Sequence, residues 1–470
     1  MNKKVFLMGA LMASVTLTQA QTVLTPHFTD ASKKIAVPKY AQVNPEIHNG
    51  LIAIYANGML YADTTGKYVV GTNFPVSVNT MYYSGYFSGG AAMVWRKKPD
   101  ASSASACIIY PDGTYRDVPT VKPKNWVMGA YDVRSASDFC DGYAVVTKGT
   151  MMSFNQVFID KNGKEVFPAL TSKGSGSMGD ANIYPVRENR RVYYNAELKK
   201  YGYADEKGNV VIKPQFNKAQ AFSEGLAAVM LEENYAQKWG FIDPTGKMVI
   251  PATYNLKPGR FSEGLAAVRI GSESEYEMAY IDKTGKRVIE NKKWDLNEFH
   301  NGYAWVGTGC DKLFVWNTKF EEVRDVTKDF EHGGNGFGTC NFQMYSGTDT
   351  DRDWGFDFPN GMQSLNQDGV KAGDIFAPDG TTVFKGKDAK DEIFLYNVTE
   401  GGLIFCNAWL SDARLKEEGE TPCFINQKGE IVFYFQESVE GFEGPAPVEA
   451  KATPTPTAKP AAKPAATKKK

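Results

Sequence analysis

The sequence predicts an all-β protein built from tandem units of about 40 residues. Three aligned segments, residues 201–229, 239–268 and 278–306, carry the pattern. Their turn glycines Gly208, Gly246 and Gly285 recur at nearly equal spacing. A regular period of this length indicates supersecondary units that stack on one another and bury their apolar faces between neighbours.

The first part of each unit has the pattern of a β-hairpin. In Gly240–Ile250, alternating apolar residues flank a four-residue turn with Asp243 first and Gly246 last. Asp in the first position of such a turn caps backbone N–H groups. We therefore interpret these aspartates as turn residues rather than catalytic carboxylates. The related turns are Asp63–Gly66, Tyr110–Gly113, Asp160–Gly163, Asp205–Gly208, Asp282–Gly285, Ala377–Gly380 and Asn426–Gly429.

A second signature, F-x-x-G followed by small and apolar residues, comes later in each unit. Clear copies are Phe222–Gly225 and Phe261–Gly264; weaker ones are Ile47–Gly50, Phe87–Gly90, Phe139–Gly142 and Val398–Gly401. His48, His300 and His332 fall within this signature or a similar one, which favours turn chemistry over catalysis. Both signatures together indicate nine or ten units between about residues 40 and 440.

The Trp-Gly pairs Trp239-Gly240 and Trp354-Gly355 give these units a recognisable form. The chain resembles the WG-repeat family, although Tyr201-Gly202 and Met278-Ala279 replace the pair in two central copies. The resemblance implies a β-repeat array over residues 40–440 and no particular activity. A propeller usually has about four to eight blades, so we expect an open superhelical array or a β-propeller-like ring with extra units.

The two ends of the chain differ from the array. Residues 1–20 have the order of a signal peptide: Lys3 and Lys4, an apolar stretch over Val5–Leu17, and small residues up to a cleavage site after Ala20. No later segment approaches about 18 apolar residues, so no transmembrane segment is expected. We predict export to the periplasm or the cell surface of a bacterium. Residues 21–40 are a lead-in segment, and residues 445–470 a disordered tail rich in Pro, Ala and Lys.

Charge separates the body of the chain from this tail. Residues 445–470 carry six Lys and one Glu, which leaves the array mildly acidic. An acidic array argues against nucleic acid as a partner and leaves a protein or cell-envelope partner as the expectation. The tail lysines either touch anionic envelope polymers or remain solvated without a partner.

One acidic stretch has the spacing of a calcium-binding loop. Asp349, Asp351, Asp353 and Asp357 stand at relative positions 1, 3, 5 and 9, from which carboxylates can converge on Ca²⁺. Trp354 and Asn360 occupy positions where such loops have Gly and Glu. An acidic surface loop without a metal is therefore the alternative, and no other cofactor is predicted.

Six cysteines in an exported chain can form disulfides. Cys406 and Cys423 are expected on consecutive antiparallel strands, which favours a bond between them. Cys107 with Cys140, and Cys310 with Cys340, are further candidate pairs. Free buried thiols are the alternative, because a disulfide requires the two Cα atoms to lie within about 7 Å.

Trp126, Trp305, Trp316 and Trp409 could line a glycan or peptide site, or pack in the core. The sequence contains no nucleophile elbow, phosphate loop, dinucleotide fingerprint or clustered zinc ligands. We predict a non-enzymatic module that binds a protein or envelope partner. The alternatives are a carbohydrate-binding or carbohydrate-processing protein and a purely structural spacer.

Overall fold

A computed structural model shows the protein as a succession of short strands and turns. It describes residues 22–23, 26–56, 58–72, 76–77, 85–97, 104–120, 132–150, 152–175, 183–233, 236–272, 275–291, 295–308, 312–327, 363–364, 374–376, 379–385, 393–398, 403–415 and 419–437. These residues form strands β1 to β36 and one 3-10 turn at Pro168–Leu170. None of them forms a helix with the length and hydropathy of a membrane span.

The strands form nine small sheets, numbered here along the chain. Sheet 1 contains β3 (Gln42–His48), β4 (Leu51–Tyr55), β5 (Met59–Asp63) and β6 (Tyr68–Gly71). Sheet 2 contains β7 (Val76–Ser77), β8 (Ala92–Lys97), β9 (Ala104–Ile109) and β10 (Tyr115–Asp117). Sheet 3 contains β11 (Asp132–Ala136), β12 (Tyr143–Gly149), β13 (Phe154–Asp160), β14 (Glu165–Val166) and β15 (Ser172–Gly174).

The three central sheets contain the clearest repeats. Sheet 4 contains β16 (Arg191–Asn195), β17 (Lys200–Ala204) and β18 (Val210–Phe216). Sheet 5 contains β19 (Lys218–Ala219), β20 (Ala227–Glu233), β21 (Ala236–Ile242) and β22 (Met248–Tyr254). Sheet 6 contains β23 (Leu265–Gly271), β24 (Tyr276–Asp282) and β25 (Arg287–Asn291).

Sheets 7, 8 and 9 complete the array, and sheets 8 and 9 each include one strand from the N-terminal segment. Sheet 7 contains β26 (Asp295–Leu296), β27 (Tyr303–Thr308), β28 (Lys312–Asn317) and β29 (Glu322–Asp325). Sheet 8 contains β30 (Gln363–Ser364), β31 (Asp374–Phe376) and β32 (Thr382–Lys385), joined by β1 (Thr22–Val23). Sheet 9 contains β33 (Ile393–Val398), β34 (Ile404–Leu410), β35 (Gly419–Ile425) and β36 (Ile431–Glu437), joined by β2 (Lys33–Val37). The predicted all-β array of small antiparallel sheets is confirmed.

Neighbouring sheets share apolar cores. Between sheets 5 and 6, Phe241 and Ile250 pack with Ala266 and Ile281. Equivalent clusters join sheet 1 to 2, 2 to 3, 3 to 4, 4 to 5 and 6 to 7. An inner sheet therefore buries both of its faces. This burial stabilises the fold by roughly 25 cal/mol for each Å² of apolar surface removed from water.

The array closes on itself. Ile52 and Ile54 of sheet 1 share a core cluster with Phe424 and Phe433 of sheet 9. Sheet 7 contacts sheet 8 where the Arg324 guanidinium donates to the Gly380 carbonyl over 3.0 Å. Residues 22–23 pair with sheet 8, and residues 33–37 pair with sheet 9. Of the two predicted arrangements, the structure adopts the propeller-like ring, with more sheets than the usual maximum of about eight.

The Asp turns have the predicted capping geometry. Asp243 Oδ1 accepts hydrogen bonds from the backbone N–H groups of Thr245 (2.9 Å) and Lys247 (3.1 Å). Asp63, Asp160, Asp205 and Asp282 accept the same pair of bonds. In sheet 7 the turn begins at Asn317 and ends at Phe320, with φ 63°. We did not predict that copy, because it lacks the glycine.

The F-x-x-G signature forms a tight two-residue turn. Glu224 and Gly225 have φ values of 53° and 85° between the bridged residues Ser223 and Leu226. Two successive positive φ values define a type I′ turn, in which a second-position glycine avoids strain. The aromatic residue before the turn is buried, as with Phe261 at 1% exposure.

A β-bulge recurs in the last strand of most units. In sheet 5, Phe241 pairs with Ile250 and Ile242 with Met248, which leaves Val249 without a pairing partner. Val249 is exposed, as are the bulge valines Val69, Val211, Val288 and Val323 of sheets 1, 4, 6 and 7. A bulge bends an edge strand and interrupts its ladder, which protects that edge from pairing with other chains.

The glycine of the Trp-Gly pair lies in the middle strand of the hairpin pair. It faces a second bulge, which lies in the last strand of the unit. A Cβ atom on Gly240 would lie 2.6 Å from the Ile250 carbonyl oxygen and 2.7 Å from the Ala252 nitrogen. Gly202 meets the last strand of sheet 4 in the same way. In sheet 6, Ala279 pairs directly with Glu290, and the second bulge is missing. The second bulge therefore requires glycine, and the unit without it accommodates alanine.

We predict that Gly240→Ala destabilises the ring by about 2–3 kcal/mol, because its new methyl group must displace backbone atoms. Urea unfolding followed by far-UV circular dichroism measures this change. Gly259→Ala is the matched control, since its added Cβ would approach no atom closer than 3.4 Å. Equal stability of the two variants would contradict the bulge explanation.

Candidate interaction faces of the ring

The ring has two chemically different faces. In sheet 5, β20 begins next to the F-x-x-G turn, β21 ends at the Asp turn, and the other ends of these two strands lie at the opposite end of the sheet. Sheets 1 to 4, 6 and 7 repeat this order, with the turn at Arg187–Arg190 in the F-x-x-G position of sheet 4, and these turns bond to one another along sheets 4 to 7. We call the end with both turns the turn face, and the end with the connecting loops the loop face.

Acidic side chains join successive turns on the turn face. Glu224 accepts hydrogen bonds from the backbone N–H groups of Glu263 (2.7 Å) and Gly264 (2.8 Å) in the next unit. Glu263 in turn accepts from Gly302 N–H at 2.8 Å. Glu188 accepts from Gly225 N–H at 2.9 Å. These bonds satisfy turn donors that would otherwise require water.

Serine hydroxyl groups reinforce the same connections. Ser223 Oγ donates to the Phe261 carbonyl at 2.6 Å, and Ser262 Oγ donates to the Phe299 carbonyl. The F-x-x-G sequence therefore supplies a core aromatic, an inter-unit donor, an inter-unit acceptor and the turn glycine. We call this chain of contacts the turn belt.

The histidines of the signature also serve packing and turn formation. His300 is bridged to Tyr303 across its turn, and its Nε2 lies 3.9 Å from Glu298 Oε2. The His48 ring lies 4.2 Å from the Tyr86 ring, centroid to centroid. These positions agree with the predicted turn role. His332 lies outside the described residues.

Two carboxylates of the turn face, Asp243 and Glu224, have pKa values below the ordinary carboxyl value. The hydroxyl of Thr245 donates to Asp243 and lowers the pKa of that carboxyl, and backbone N–H groups lower it further. Burial alone would raise the pKa of Glu224, but the Gly264 N–H and the Lys283 ammonium outweigh it and lower the pKa. A general acid requires the opposite shift, so these groups suit capping rather than proton transfer.

The loop face carries large exposed apolar side chains. Met152 and Leu198, 73% and 56% exposed, lie in the connecting loops of the neighbouring sheets 3 and 4. Tyr276 begins β24 beside the corresponding loop of sheet 6, and Trp409 lies near the end of β34 in sheet 9. Sequence reasoning singled out Trp409 alone among these. For Leu198 the available signal was a large apolar residue between Glu197 and Lys199 in a hairpin loop.

The described tryptophans separate into core and surface residues. Trp305 and Trp316 are buried in sheet 7, as the core alternative predicted. Trp409 is 53% exposed, and it is the one exposed tryptophan among the residues that the structure describes. Trp126 lies outside them.

Comparison with known families identifies the repeat. The family described as "WG containing repeat" matches residues 201–235 and 239–273. Both matches begin at the pair whose glycine faces the second bulge. These two segments are WG repeats. The matches cover β17 and β18 of sheet 4, sheet 5 apart from the start of β21, and β23 of sheet 6, so the family pattern includes both doubly bulged strands.

Solved structures give distant likenesses to the chain. BamB from Moraxella catarrhalis is 13% identical over 65% of this chain and 88% of its own, with a TM-score of 0.32. The Dos1 propeller is 9% identical over 67% and 87%, with a TM-score of 0.36. No curated protein sequence matches the chain. The ring is therefore defined by contacts within this chain, such as the core cluster shared by sheets 1 and 9.

The ring places one predicted cysteine pair together. Cys406 and Cys423 are directly opposed on β34 and β35, with their Sγ atoms 3.2 Å apart. Cys107 packs between sheets 1 and 2 and Cys140 between sheets 3 and 4, so the structure does not bring that pair together. Both thiols are buried, and burial raises the pKa of Cys140 to about 11. Cys310 and Cys340 lie outside the described residues.

The proposed calcium loop is not part of the described structure. Asp349, Asp351, Asp353 and Asp357 all lie outside the described residues, so the Ca²⁺ site stays a prediction. Among the residues that are described, no group of three or more His, Cys, Asp or Glu side chains could hold a metal ion.

We predict that Glu224→Gln weakens the turn belt by about 1–2 kcal/mol at pH 7, because an amide offers one acceptor where two backbone donors converge. The lowered pKa of Glu224 makes its contribution complete above the ordinary carboxyl value of 4.5. That contribution disappears as the pH falls through the lower folded-state value. Urea titrations at pH 7 and at pH 3 measure both effects. Glu206→Gln, in an exposed turn outside the belt, is the control, and an equal loss there would argue against the belt.

We predict that air oxidation links Cys406 to Cys423, because opposed antiparallel residues have Cα separations of about 4.5–5.5 Å, within the disulfide range. The bond would close a loop of 17 residues, for which chain entropy gives up to about 3 kcal/mol. Peptide mapping without reduction detects the link, and thermal unfolding of Cys423→Ser measures its effect. Cys107 and Cys140 provide the internal control, since they should stay reduced. Recovery of Cys406 and Cys423 as free thiols after oxidation would refute the pairing.

Proposed function

We propose that this protein is an exported, non-enzymatic interaction module that binds a protein partner through the loop face. The exposed side chains of Met152 and Leu198 on adjacent sheets carry this proposal. Large apolar side chains in solvent-exposed loops are a feature of protein-binding surfaces, where methionine and aromatic residues are enriched. On the turn face, by contrast, the belt carboxylates and serines already bond to neighbouring units.

The proposal includes export of the protein out of the cytoplasm. It is supported by the basic, apolar and small-residue order of residues 1–20. The opposed thiols of Cys406 and Cys423 suit a compartment in which disulfides persist. Fractionation of the source cell, with the N-terminal residue of the mature protein determined by mass spectrometry, tests it. A cytoplasmic protein that retains residues 1–20 would refute export.

A carbohydrate ligand is the competing function, and the exposed ring of Trp409 is the observation that favours it. Carbohydrate sites stack several aromatic rings against sugars, whereas Met152 and Leu198 offer flexible aliphatic contact. Met152 and Leu198 lie on adjacent sheets, whereas Trp409 and Tyr276 lie on the separate sheets 9 and 6, so the neighbouring exposed residues favour a protein. Glycan profiling of captured material distinguishes the two functions.

We predict that Met152→Ser with Leu198→Ser abolishes partner capture from envelope extracts of the source cell. Loss of two interface anchors weakens binding about tenfold or more. The matched control is Val211→Ser with Val249→Ser, which removes two exposed apolar residues from edge bulges. Quantitative mass spectrometry should show the same proteins enriched by wild type and control and lost from the loop variant. Equal capture by all three would place the site elsewhere, and enrichment of polysaccharide would favour the alternative.

A further inference from the structure

The N-terminal segment, described at residues 22–23 and 26–37, contacts both of the last two sheets, and we call it the clasp. Its strand β1 pairs in parallel with β32 of sheet 8, and β2 pairs in parallel with β36 of sheet 9. Between these strands, His27 N–H donates to the Gly429 carbonyl at 3.0 Å, and Ile431 N–H donates to the His27 carbonyl at 2.9 Å. The clasp thus crosses from one sheet edge to the next.

Apolar contacts fix the clasp on sheet 9. Ile35 and Val37 are 2% and 4% exposed and share a core cluster with Phe433 and Phe435. Further along, the Phe28 ring meets the edge of Tyr434 at 4.9 Å. These anchors therefore contact residues of sheet 9 some 400 positions away, and Ile35 and Val37 also share their cluster with Ile52 and Ile54 of sheet 1.

The edge beneath the clasp lacks a feature that protects comparable edges. β36 has seven residues and a bulge at Val432, but no proline. The equally long last strands β18 and β22 contain Pro214 and Pro251 in addition to their bulges, and each proline removes a backbone donor and discourages strand pairing. An uncovered β36 would present unpaired backbone groups. The clasp strand β2 pairs with these groups.

The connection between the clasp and sheet 1 is short and strained. Residues 38–41 join β2 to β3, and the Ala41 N–H donates to the Pro38 carbonyl within this turn. Tyr40 has φ 63° and is 80% exposed. A left-handed conformation is unfavourable for an aromatic residue, and an extended connection would relieve it.

We propose that the clasp exchanges between copies of this chain, so that the clasp of one copy covers sheets 8 and 9 of a second copy and the second returns the same contact. Every clasp contact described above would form unchanged in the exchanged dimer. The closed monomer and the exchanged dimer differ in the backbone conformation of the hinge, residues 38–41, and in the free-energy cost of bringing two chains together. Short, strained hinges are a recognised cause of such domain swapping.

The hinge offers two opposite changes at one position. Proline cannot adopt φ 63°, so Tyr40→Pro opposes the closed hinge and favours the dimer. Glycine adopts that angle without strain, so Tyr40→Gly favours the closed monomer and lowers the dimer fraction about fivefold. Lys39→Gly is the matched control, because it loosens the hinge at a residue with an ordinary φ and should resemble the wild type.

The experiment uses the full chain refolded from urea at several protein concentrations. Size-exclusion chromatography with light scattering measures the dimer fraction, and thermal unfolding verifies that each variant is folded. We expect the order Tyr40→Pro above wild type and Lys39→Gly, with Tyr40→Gly lowest. If Tyr40→Pro does not refold, the difference between Tyr40→Gly and Lys39→Gly still decides the result. Dimer fractions that are equal in these two folded variants would overturn the proposal.

A cross-link identifies the contact that forms the dimer. Ala36 and Gln436 are directly paired across β2 and β36. A chain carrying Ala36→Cys and Gln436→Cys is prepared in ¹⁵N-labelled and unlabelled forms, and the two are mixed before refolding. Clasp exchange predicts disulfide-linked peptides with one labelled and one unlabelled half in the dimer peak. Links that always join halves of the same isotope would show that the dimer forms through another surface, and would overturn the proposal.

Discussion

Each sheet of this ring has two apolar faces and can bury neither of them alone. A linear stack of such sheets would leave one face exposed at each end, with side chains such as Ile52 and Ile54 or Phe424 and Phe433 in water. Closure brings these two faces together and removes both exposed ends. Because sheet 1 packs against sheet 9, the stability of every unit depends on the completeness of the ring.

The edges of the sheets present a second problem, which closure does not solve. Each unit ends in a strand with unpaired backbone groups, and the units manage that edge in different ways. Bulges at Val211, Val249 and Val432 interrupt three of these strands. Pro214 and Pro251 disrupt the first two further, while the clasp covers the third, β36. A bulge or a proline protects an edge strand with one or two residues. Covering the edge with a paired strand requires a separate segment of the chain.

Local chemistry explains which features the sequence could predict. The Asp turns and F-x-x-G turns depend on residues at most four positions apart, so their signatures are visible in a single unit. The bulges escaped prediction because they are defined by the neighbouring strand. The clasp escaped because its partner lies some 400 residues away, although Asp30, Lys34 and Pro38 match Asp243, Lys247 and Pro251 of a last-strand half unit. The exposure of Met152 and Leu198 likewise follows from the assembled ring rather than from the local pattern.

The position of the clasp sets the order of events during synthesis. Ser32, which donates to the Ile431 carbonyl, leaves the ribosome 399 residues before its partner. At about 5–20 residues per second, the segment stays without its sheet for roughly 20–80 seconds. During that interval sheets 1 to 7 can stack progressively as they emerge, but the contact between sheet 1 and sheet 9 cannot form. The finished ring therefore forms only after translation of its final unit, and a nascent chain that stalls late carries an unpaired strand at its start and an unburied sheet face at its end.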